Sequence, residues 1–245
     1  MNKTVFIAGA SSGIGKSLAE LYASSGANLQ IASRNVDELN SIATELKSKY
    51  KISVEVYRID VSNYQSIQDL SKQLIQVPDI VICSIGYLGI DTRDFLNVSE
   101  IHQIFATNAE GSIGLINVFA ALFKKSGKGI IVGISSIAGD RGKSKNLFYS
   151  SAKAAFTSYL DGLRNELYHH NVHVITVKPG YVDTPMTKGL SLPSSLIISS
   201  ERAALLIKKA IDHKRNIVYV PSKWRFVIWV INSLPEYFYK KINWK

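Results

Sequence analysis

The stretch Thr4-Val5-Phe6-Ile7-Ala8-Gly9-Ala10-Ser11-Ser12-Gly13-Ile14-Gly15 decides the fold of this chain. An apolar, β-branched run leads directly into three closely spaced glycines, and the apolar spacing of Ile14, Leu18 and Leu21 predicts a helix immediately afterwards. Glycines let the backbone turn tightly, and the unpaired amides at a helix start favour the negative charge of a phosphate. The stretch indicates a dinucleotide-binding turn, but taken alone it fits an ordinary glycine-rich turn equally well.

The alternation of strand and helix continues along the rest of the chain. The predicted strands are 4–8, 28–33, 53–59, 80–84, 129–135, 172–177 and 217–220, and the predicted helices are 14–25, 36–50, 64–76, about 99–125, 147–170 and 200–213. Several strands lack polar alternation, which is typical of parallel strands covered by helices on both faces. The pattern predicts one α/β domain with a Rossmann-type, doubly wound, seven-stranded parallel sheet.

Length and cysteine content set outer limits on the class of protein. A chain of 245 residues is long enough for one sizeable core. Its single cysteine, Cys83, lies in an apolar run, so a buried thiol is expected and a reducing, cytoplasmic setting is favoured. The N-terminal apolar run ends in the glycine cluster and not in a cleavage site, so no secretory signal is expected. We expect no metal site.

The net charge of +10 is concentrated near the C-terminus, because residues 201–245 contain ten Lys or Arg and three Asp or Glu, a local net charge of +7. Such a bias fits nucleic acid, an anionic membrane surface or an anionic substrate. No helix-turn-helix, zinc-finger or RNA-binding motif accompanies the basic residues. Nucleic acid is therefore the weakest of the three.

Residues 223–245 form an apolar and basic extension of a catalytic domain predicted to span residues 1–222. The extension is too short to span a bilayer, which takes about 20 apolar residues. Two interpretations have equal weight: a helix that lies on a membrane surface, and a helix that completes a pocket or a subunit interface. The apolar residues are Trp224, Phe226, Val227, Ile228, Trp229, Val230 and Ile231, flanked by Lys223, Arg225, Lys240, Lys241 and Lys245.

The residues after the second and third predicted strands indicate which dinucleotide binds. Ser33 and Arg34 occupy the place where an NAD site usually has a carboxylate for the ribose hydroxyls. A guanidinium there can bind a 2′-phosphate through two charge-assisted hydrogen bonds, so we expect NADPH over NADH. The alternative is a solvated surface arginine. Asp60 can accept from the adenine amino group, or it can cap a turn.

A tyrosine and a lysine four residues apart indicate the chemistry. Tyr149 and Lys153 lie on one face of the predicted helix 147–170, so both can face the same cavity. A free phenol has a pKa of about 10, and a neighbouring cation favours its exchange of protons at neutral pH. With Ser136 nearby in sequence, the pair predicts a ketone reductase or alcohol dehydrogenase.

These residues resemble those of the short-chain dehydrogenase/reductases over roughly residues 3–220. The resemblance covers Gly9-x-x-x-Gly13-x-Gly15, Asp60, Pro179-Gly180 and the tetrad Asn108, Ser136, Tyr149 and Lys153. The cofactor-binding residues that it implies, together with the expectations above, are Gly9, Ser11, Ser12, Gly13, Ile14, Gly15, Arg34, Asp60, Val61, Gly86, Tyr149, Lys153, Pro179, Gly180, Val182 and Thr184.

The resemblance also implies a role for each member of the tetrad. Tyr149 protonates the carbonyl oxygen, and Ser136 polarises it while NADPH reduces the carbon. Lys153 holds the nicotinamide ribose and lowers the pKa of Tyr149, and Asn108 holds a water that connects Lys153 to solvent. Ser136 is preferred over Ser135 because it directly precedes Ile137-Ala138-Gly139 and has the family's spacing to Tyr149. Ser135 would then point to the opposite side of the strand.

Two positions depart from the family pattern. Ala8 stands where the family usually has Thr, and Cys83-Ser84-Ile85-Gly86 replaces the usual Asn-Asn-Ala-Gly. The hydrogen bonds at the end of the fourth strand should therefore differ from those of the family. Gly86 still permits a close approach of the backbone to the cofactor.

Three segments carry a narrower resemblance, to the decaprenylphosphoryl-2-keto-pentose reductases: residues 84–89, 136–141 and 221–225. It implies reduction of a keto sugar on a polyprenyl-phosphate carrier at the cytoplasmic membrane face, after a separate flavin oxidase has made the ketone. A 3-oxoacyl or other lipid-ketone reductase is the first alternative. A non-catalytic NADPH-binding regulator is the second, and the intact tetrad argues against it.

Two further expectations concern the surroundings of the site. The apolar segment 185–198, which contains Met186 and Leu192, is a predicted substrate lid, with simple loop packing as the alternative. The family resemblance implies a homodimer or homotetramer that assembles through the helices predicted at 99–125 and 147–170.

Overall fold

The computed structural model describes residues 3–89, 97–190 and 193–242. Two residues named above, Leu192 of the predicted lid and Lys245 of the basic flank, lie outside the described residues. All helices, strands and contacts given below belong to the described ranges.

Seven parallel strands form the central sheet, in the order β3-β2-β1-β4-β5-β6-β9. They are β1 (Thr4–Ala8), β2 (Asn28–Ser33), β3 (Val54–Arg58), β4 (Ile80–Cys83), β5 (Gly129–Ile134), β6 (Val172–Pro179) and β9 (Ile217–Val220). Two short strands, β7 (Val182–Asp183) and β8 (Ile198–Ser199), pair with each other outside this sheet. The predicted seven-stranded parallel sheet is confirmed.

Helices cover both faces of the sheet. They are α1 (Gly13–Ser24), α2 (Val36–Tyr50), α3 (Tyr64–Gln73), α4 (Val98–Phe105), α5 (Ser112–Ser126), α6 (Leu147–Leu167), α7 (Ser200–Asp212), α8 (Lys223–Ser233) and the short α9 (Glu236–Tyr239). A π-helical turn, Ala106–Gly111, joins α4 to α5. Single 3₁₀ turns lie at Ile137–Gly139, Ser144–Asn146, Tyr168–His170 and Ser194–Leu196.

The two faces of β1 show how the core is divided. Val5 and Ile7 pack into a cluster with buried residues of α1, α2 and α7, whereas Phe6 and Ala8 pack into a second cluster with α3, α5 and α6. All five residues of β1 are buried. Because both faces of β1 are buried, its sequence is apolar throughout and does not alternate between polar and apolar residues.

The sheet places all seven carboxyl ends of its strands along one edge. Strand order reverses between β1 and β4, since β2 and β3 lie on one side of β1 and the later strands on the other. In open α/β sheets a ligand crevice lies outside the carboxyl ends at such a switch point. The turns after β1, β2, β4, β5 and β6 are therefore the ones that can form a site.

Several predicted boundaries differ from the structure. The predicted helix at 99–125 is α4, the π-helical turn and α5, and the predicted helix at 147–170 ends at Leu167 and continues as a 3₁₀ turn. Strand β6 runs two residues further than expected, to Pro179. Strands β7 and β8 were not expected, because two residues are too few to show a period in sequence.

The C-terminal extension forms α8 and α9. One side of α8 is buried through Trp224 and Ile228, which pack with Ile137 directly after Ser136. One side of α8 therefore packs on the loop that follows Ser136, and both interpretations of the extension stay predictions. Within the described ranges, no helix combines the length and apolar character needed to cross a bilayer.

Candidate active site

The first turn needs glycines because neighbouring backbone atoms lie too close for side chains. Gly9 has a φ of +81°, and a Cβ there would lie 2.7 Å from the carbonyl oxygen of Ser84. A Cβ on Gly15 would lie 2.0 Å from the Gly9 carbonyl oxygen, so α1 could not pack this closely on the turn. The turn after β1 is thus pressed against both its own helix and the turn after β4.

The start of α1 is built to receive an anion. Ser12 is the N-cap residue, and its side chain makes no capping hydrogen bond. The first turn of the helix contains no acidic residue. The first amides of a helix have no hydrogen-bond partner within the helix and carry partial positive charge. With no acidic side chain in the first turn to oppose it, a phosphate fits at this helix start.

The segment after β6 closes over this turn. A Cβ on Gly13, where φ is +52°, would lie 3.0 Å from the Thr184 side chain. A Cβ on Gly86 would lie 3.0 Å from the Met186 methyl carbon and 3.7 Å from Lys153 Nζ. Thr184 therefore lies against the glycine turn, and Met186, at the start of the predicted lid segment, lies beside Gly86. Val182, shortly before that segment, is a buried residue of β7.

Arg34 lies exposed at the carboxyl end of β2, as its expected contact with a 2′-phosphate requires. Its charge lowers the pKa of Tyr87, although the hydrogen bond from that phenol to Glu100 raises the pKa more. Arg34 thus sits on the crevice side of the sheet, electrostatically close to the turn after β4. Ser33 beside it donates to the carbonyl oxygen of Asn35.

Asp60 caps the turn after β3. Its Oδ1 accepts from the amide and from the hydroxyl of Ser62, at 3.0 and 2.6 Å. Its own amide donates to Ser66. Oδ1 of Asp60 therefore has the turn-capping role that was the alternative to binding adenine. Val61 is buried, and its carbonyl oxygen would lie 2.1 Å from a Cβ on Gly111 of the π-helical turn.

Asn108 ties the π-helical turn to the loop after β4. It is fully buried, its Nδ2 donates to the carbonyl oxygens of Tyr87 and Ile104 at 2.6 and 2.9 Å, and its Oδ1 accepts from the Tyr87 amide at 3.1 Å. A Cβ on Gly86 would lie 3.5 Å from that oxygen. The expected difference from the family's hydrogen bonding at Cys83 and Ser84 stays a prediction. The expected water-holding role of Asn108 stays a prediction.

Lys153 is buried at the centre of the site. Only 2% of it is exposed, and its Nζ donates to the carbonyl oxygens of Ile85 and Ile134 at 3.3 and 3.2 Å. Burial lowers its pKa to about 8, because the charged form has left water for two neutral acceptors. Cys83, expected to be a buried thiol, is indeed buried, and burial raises its pKa.

Tyr149 and Ser136 face each other across the end of β5. Burial raises the pKa of Tyr149 to about 12, and a side-chain hydrogen bond with Ser136 opposes that rise. The expected lowering by Lys153 is therefore not the net effect, since desolvation of the phenolate dominates. Lys153 Nζ lies 5.9 Å from the Tyr149 ring centroid and is turned toward the two backbone carbonyls.

The neighbouring Ser135 points to the other side, as alternation along a strand requires. Its hydroxyl donates to the Lys153 carbonyl oxygen at 3.0 Å and lies 2.7 Å from Thr157 Oγ1, inside the contact with α6. Ser136 has extended backbone, and its Oγ accepts from the amide of Ala138. Only Ser136 is thus available to the cleft.

Gly180 supports the C-terminal helix. A Cβ on this residue would lie 1.9 Å from Trp224 Nε1, so the indole occupies the space that a side chain would need. The tryptophan is 3% exposed and also packs edge-on against Tyr181, with ring centroids 5.3 Å apart. The Pro179-Gly180 turn, at the carboxyl end of β6, therefore also supports α8 through Trp224.

The loop that follows Ser136 is fixed on two sides. Asp140 forms a buried ion pair with Lys178, the residue before Pro179, and also accepts from the Tyr219 hydroxyl at 2.9 Å. Arg141 donates to the carbonyl oxygens of Ile231 and Leu234 at the end of α8. The loop thus connects Ser136 to β6 and to the C-terminal segment.

Sequence reasoning missed three features of this site. The first is the approach of Met186 to Gly86, and the second is the seat of Trp224 on Gly180. The third is the Asp140–Lys178 pair. An acidic residue in the Ser136 loop and a lysine before Pro179 were visible in the sequence, but nothing there showed that they meet. No cluster of three or more His, Cys, Asp or Glu side chains suited to a metal ion occurs among the described residues.

The geometry of the crevice defines a class of protein. A glycine turn with a free helix start lies beside a buried lysine and a serine–tyrosine pair, all at the switch point of a parallel sheet. A dinucleotide fits the turn, and the phenol is placed to exchange a proton with an oxygen in the same crevice. This is the arrangement of a Rossmann-fold oxidoreductase.

Comparison with known proteins gives the family. The model of the family "short chain dehydrogenase" matches residues 3–194, and this chain belongs to that family. A relative matched over nearly the whole chain is "Uncharacterized oxidoreductase Rv2073c" of Mycobacterium tuberculosis, 28% identical over 97% of this chain and 96% of that protein.

Two further proteins are similar over most of their length. "NADP-dependent 3-hydroxy acid dehydrogenase" of Schizosaccharomyces pombe is 34% identical over 74% of this chain and 72% of that protein. The solved structure of a short-chain dehydrogenase from Sphingobium yanoikuyae in complex with NADPH has a TM-score of 0.83, at 21% identity over 96% of this chain and 97% of that one. The structural match supports the fold.

Proposed function

We propose that the protein reduces a ketone to a secondary alcohol with NADPH, and that the ketone is a keto sugar on a polyprenyl-phosphate-type carrier. The observation that carries the reductase assignment is the convergence of Ser136, Tyr149 and Lys153 at one switch-point crevice. A homo-oligomer at the cytoplasmic membrane face is part of the proposal.

Tyr149 is the proton donor in this reaction. Its pKa of about 12 keeps the phenol protonated at neutral pH, which suits donation to a carbonyl oxygen that gains negative charge. Ser136 donates to the same oxygen and stabilises that charge. Lys153 titrates near neutrality, with a pKa of about 8, so it can return a proton toward Tyr149 after each turnover.

The residues of the crevice fit NADPH. The diphosphate would be held by the amides at the start of α1, next to Ser11, Ser12 and Ile14, and the 2′-phosphate by Arg34. When bound, the cofactor supplies the hydride. The name of the fission-yeast relative, which is NADP-dependent, supports the same choice. Since cells commonly keep this cofactor reduced, we expect the reaction to run toward the alcohol.

The keto-sugar assignment is supported by the three segments that carry the narrower resemblance. All three border the tetrad: Tyr87 is bonded to Asn108, Ile137 follows Ser136, and Trp224 packs on Ile137 and Gly180. A separate flavin oxidase would supply the ketone. The first two segments adjoin tetrad residues directly and the third reaches them through Ile137, so in this proposal the three segments line the substrate side of the crevice.

A 3-oxoacyl or other lipid ketone is the second candidate. The name of the fission-yeast relative favours it, because oxidation of a 3-hydroxy acid gives a 3-oxo acid. Met186, which is 38% exposed beside Gly86, offers apolar surface that suits an acyl chain as well as a polyprenyl chain.

One experiment separates the candidates. NADPH oxidation by the purified protein is followed with a polyprenylphosphoryl 2-keto-pentose and, in parallel, with a 3-oxoacyl thioester. Tyr149→Phe serves as the blank, and it should lower turnover by about 2 to 4 orders of magnitude because the proton donor is lost. Turnover of the keto sugar alone supports the first candidate, and turnover of the thioester alone replaces it with the second.

The remaining alternative is a regulator that binds NADPH without catalysis. It requires NADPH binding, measured by fluorescence titration, together with no turnover of any ketone or aldehyde by the unaltered protein. If Tyr149→Phe retained full activity, the assignment of the proton donor would be wrong even if the substrate were right.

A further inference from the structure

The C-terminal segment presents an exposed face that the catalytic crevice does not use. We call it the aromatic face: Phe226, Trp229, Val230, Tyr237 and Phe238, which are 67%, 64%, 40%, 60% and 59% exposed. Phe226 and Trp229 stack on each other at 6.0 Å, and Tyr237 meets Phe238 edge-on at 5.4 Å. The face thus contains two pairs of exposed rings in contact with each other, and clustered exposed aromatic side chains on a folded surface mark an interaction site.

The opposite side of the same segment is firmly attached to the protein. Trp224 and Ile228 are 3% and 2% exposed and pack on Ile137. Arg141 donates to the last carbonyl oxygens of α8, and its guanidinium lies 3.5 Å from the Tyr239 ring centroid. The aromatic face is therefore held outward by contacts on its other side and is not a loosely docked tail.

Cations surround the aromatic face. Lys223 and Arg225 are exposed at its start, and Lys240 and Lys241 are exposed at its end, where their Nζ atoms lie 5.8 and 3.7 Å from the Tyr237 ring centroid. The acidic residue in this segment, Glu236, is paired with Arg141 at 3.1 Å. The face thus combines exposed aromatic rings with a rim of positive charge.

The geometry points to an anionic lipid bilayer as the partner of this face. Tryptophan, tyrosine and phenylalanine rings favour the boundary between headgroups and acyl chains, and each lysine or arginine near an anionic leaflet adds attraction. A second copy of this chain would bring the same cations together, and opposed like charges disfavour that contact. The bilayer is complementary in both respects.

Docking through this face has a consequence for the reaction. The buried side of α8 contacts Ile137, the residue after Ser136, so a lipid surface on the outer side would lie one helix away from the catalytic loop. A substrate with a lipid tail could then enter the crevice while the tail stays in the bilayer. The inference itself does not depend on which ketone is reduced.

The test measures sedimentation of the full-length, substrate-free protein with lipid vesicles. One set is pure phosphatidylcholine, and the other contains phosphatidylglycerol. We expect binding mainly to the anionic set and a strong loss in Phe226→Ser/Trp229→Ser. Lys240→Ala/Lys241→Ala should weaken binding about thirtyfold, at roughly fivefold for each charge removed, and added salt should weaken it further.

A matched control removes exposed apolar side chains elsewhere. Ile75→Ser/Tyr168→Ser alters residues that are 78% and 74% exposed and lie away from the C-terminal segment, and it should leave vesicle binding unchanged. Circular dichroism melting of each variant identifies any that has lost its fold. If a variant is unfolded, tryptophan fluorescence gives the same information. The emission of the unaltered protein should shift to the blue on anionic vesicles, and this shift should be lost in Trp229→Phe.

Three results would overturn the inference: no vesicle binding, equal binding to both vesicle sets, or a loss as large in the control. Self-association that Trp229→Ser abolishes would make this face an interface between copies. Because no ketone is present, vesicle binding can succeed while keto-sugar reduction fails, and the reverse. Ketone reduction and docking on a bilayer therefore fail independently, whereas the membrane-face location in the proposed function fails together with the docking.

Discussion

Lys153 holds an ammonium group in a place where water cannot solvate it. Its pKa falls from an ordinary 10.5 to about 8, while the unfolded chain keeps the ordinary value. Between those two pH values the unfolded chain binds more protons at this residue than the folded chain does. The contribution of Lys153 to the free energy of unfolding must therefore rise with pH across that window, and below it the full cost of burying the charge is present.

Replacement by methionine tests this conclusion. In urea unfolding of cofactor-free protein, the stability of the wild type minus that of Lys153→Met should increase as the pH is raised from about 8 to 10. The upper limit is about 3 kcal/mol, from 1.36 kcal/mol for each unit of pKa. If the free energies of unfolding of the two proteins changed with pH in parallel, the prediction would be wrong, and the ammonium would be better solvated than its burial indicates.

Arg34 decides the choice between the two dinucleotides if the proposed cofactor site is right. Arg34→Ala should weaken NADPH binding by roughly 10- to 100-fold, because a charge-assisted hydrogen bond contributes about 1.5 to 3 kcal/mol, and NADH binding should change little. Fluorescence titration with both cofactors measures the two effects. Arg58→Ala is the matched control, since that arginine is exposed at the end of the next strand, β3. Equal losses for NADPH and NADH would contradict the 2′-phosphate contact.

Among the elements, the position of α8 depends on Gly180, which has no side chain. Gly180→Ala puts a Cβ 1.9 Å from Trp224 Nε1, so the helix must shift away from the turn. Overpacking of this kind costs about 1 to 3 kcal/mol, and the loss should be smaller in the presence of Trp224→Ala because the obstacle is gone. Thermal or urea unfolding of the single and double variants measures the coupling.

The control for that cycle is Gly142→Ala. Gly142 is in open space: its φ is not positive, and no atom lies within 4 Å of the position that a Cβ would take. Its replacement should therefore leave stability nearly unchanged. Additive losses in Gly180→Ala and Trp224→Ala would mean that the two residues do not compete for one space.

The elements also show what sequence can and cannot reveal. The glycine turn and the strand ends follow from local rules, namely the backbone freedom of glycine and the pattern of apolar runs. The choice of Ser136 over Ser135 needed the family's spacing to Tyr149 as well as alternation along a strand. The π-helical turn at Asn108 does not, because its residues suit an ordinary helix and the side chain's bonds to Tyr87 come from a distant loop. The Trp224–Gly180 contact likewise needs the folded chain.

At the scale of the whole molecule, the outer side of α6 is the surface most suited to a second copy of the chain. Among its exposed residues, Ser151, Ala155, Ser158 and Gly162 are small and recur at helical spacing, while larger exposed residues lie at the two ends, at Leu147, Asp161, Asn165 and Glu166. Small side chains allow two helix backbones to approach closely, and α5 packs beside α6 to widen the surface. The predicted homodimer or homotetramer through these helices is consistent with that shape.

Sedimentation velocity tests the assembly directly. The unaltered protein should sediment as a dimer or tetramer, and Ala155→Arg should shift it toward the monomer, because a long charged side chain on each copy separates the helices and opposes like charges. Lys208→Ala on α7 keeps the α6 surface intact and should not change the mass. A monomeric wild type would refute the assembly, whereas a mass unchanged by Ala155→Arg would move the interface elsewhere. Since α6 carries Tyr149 and Lys153 on its inner side, an interface on its outer side would also fix the helix that positions the proton donor.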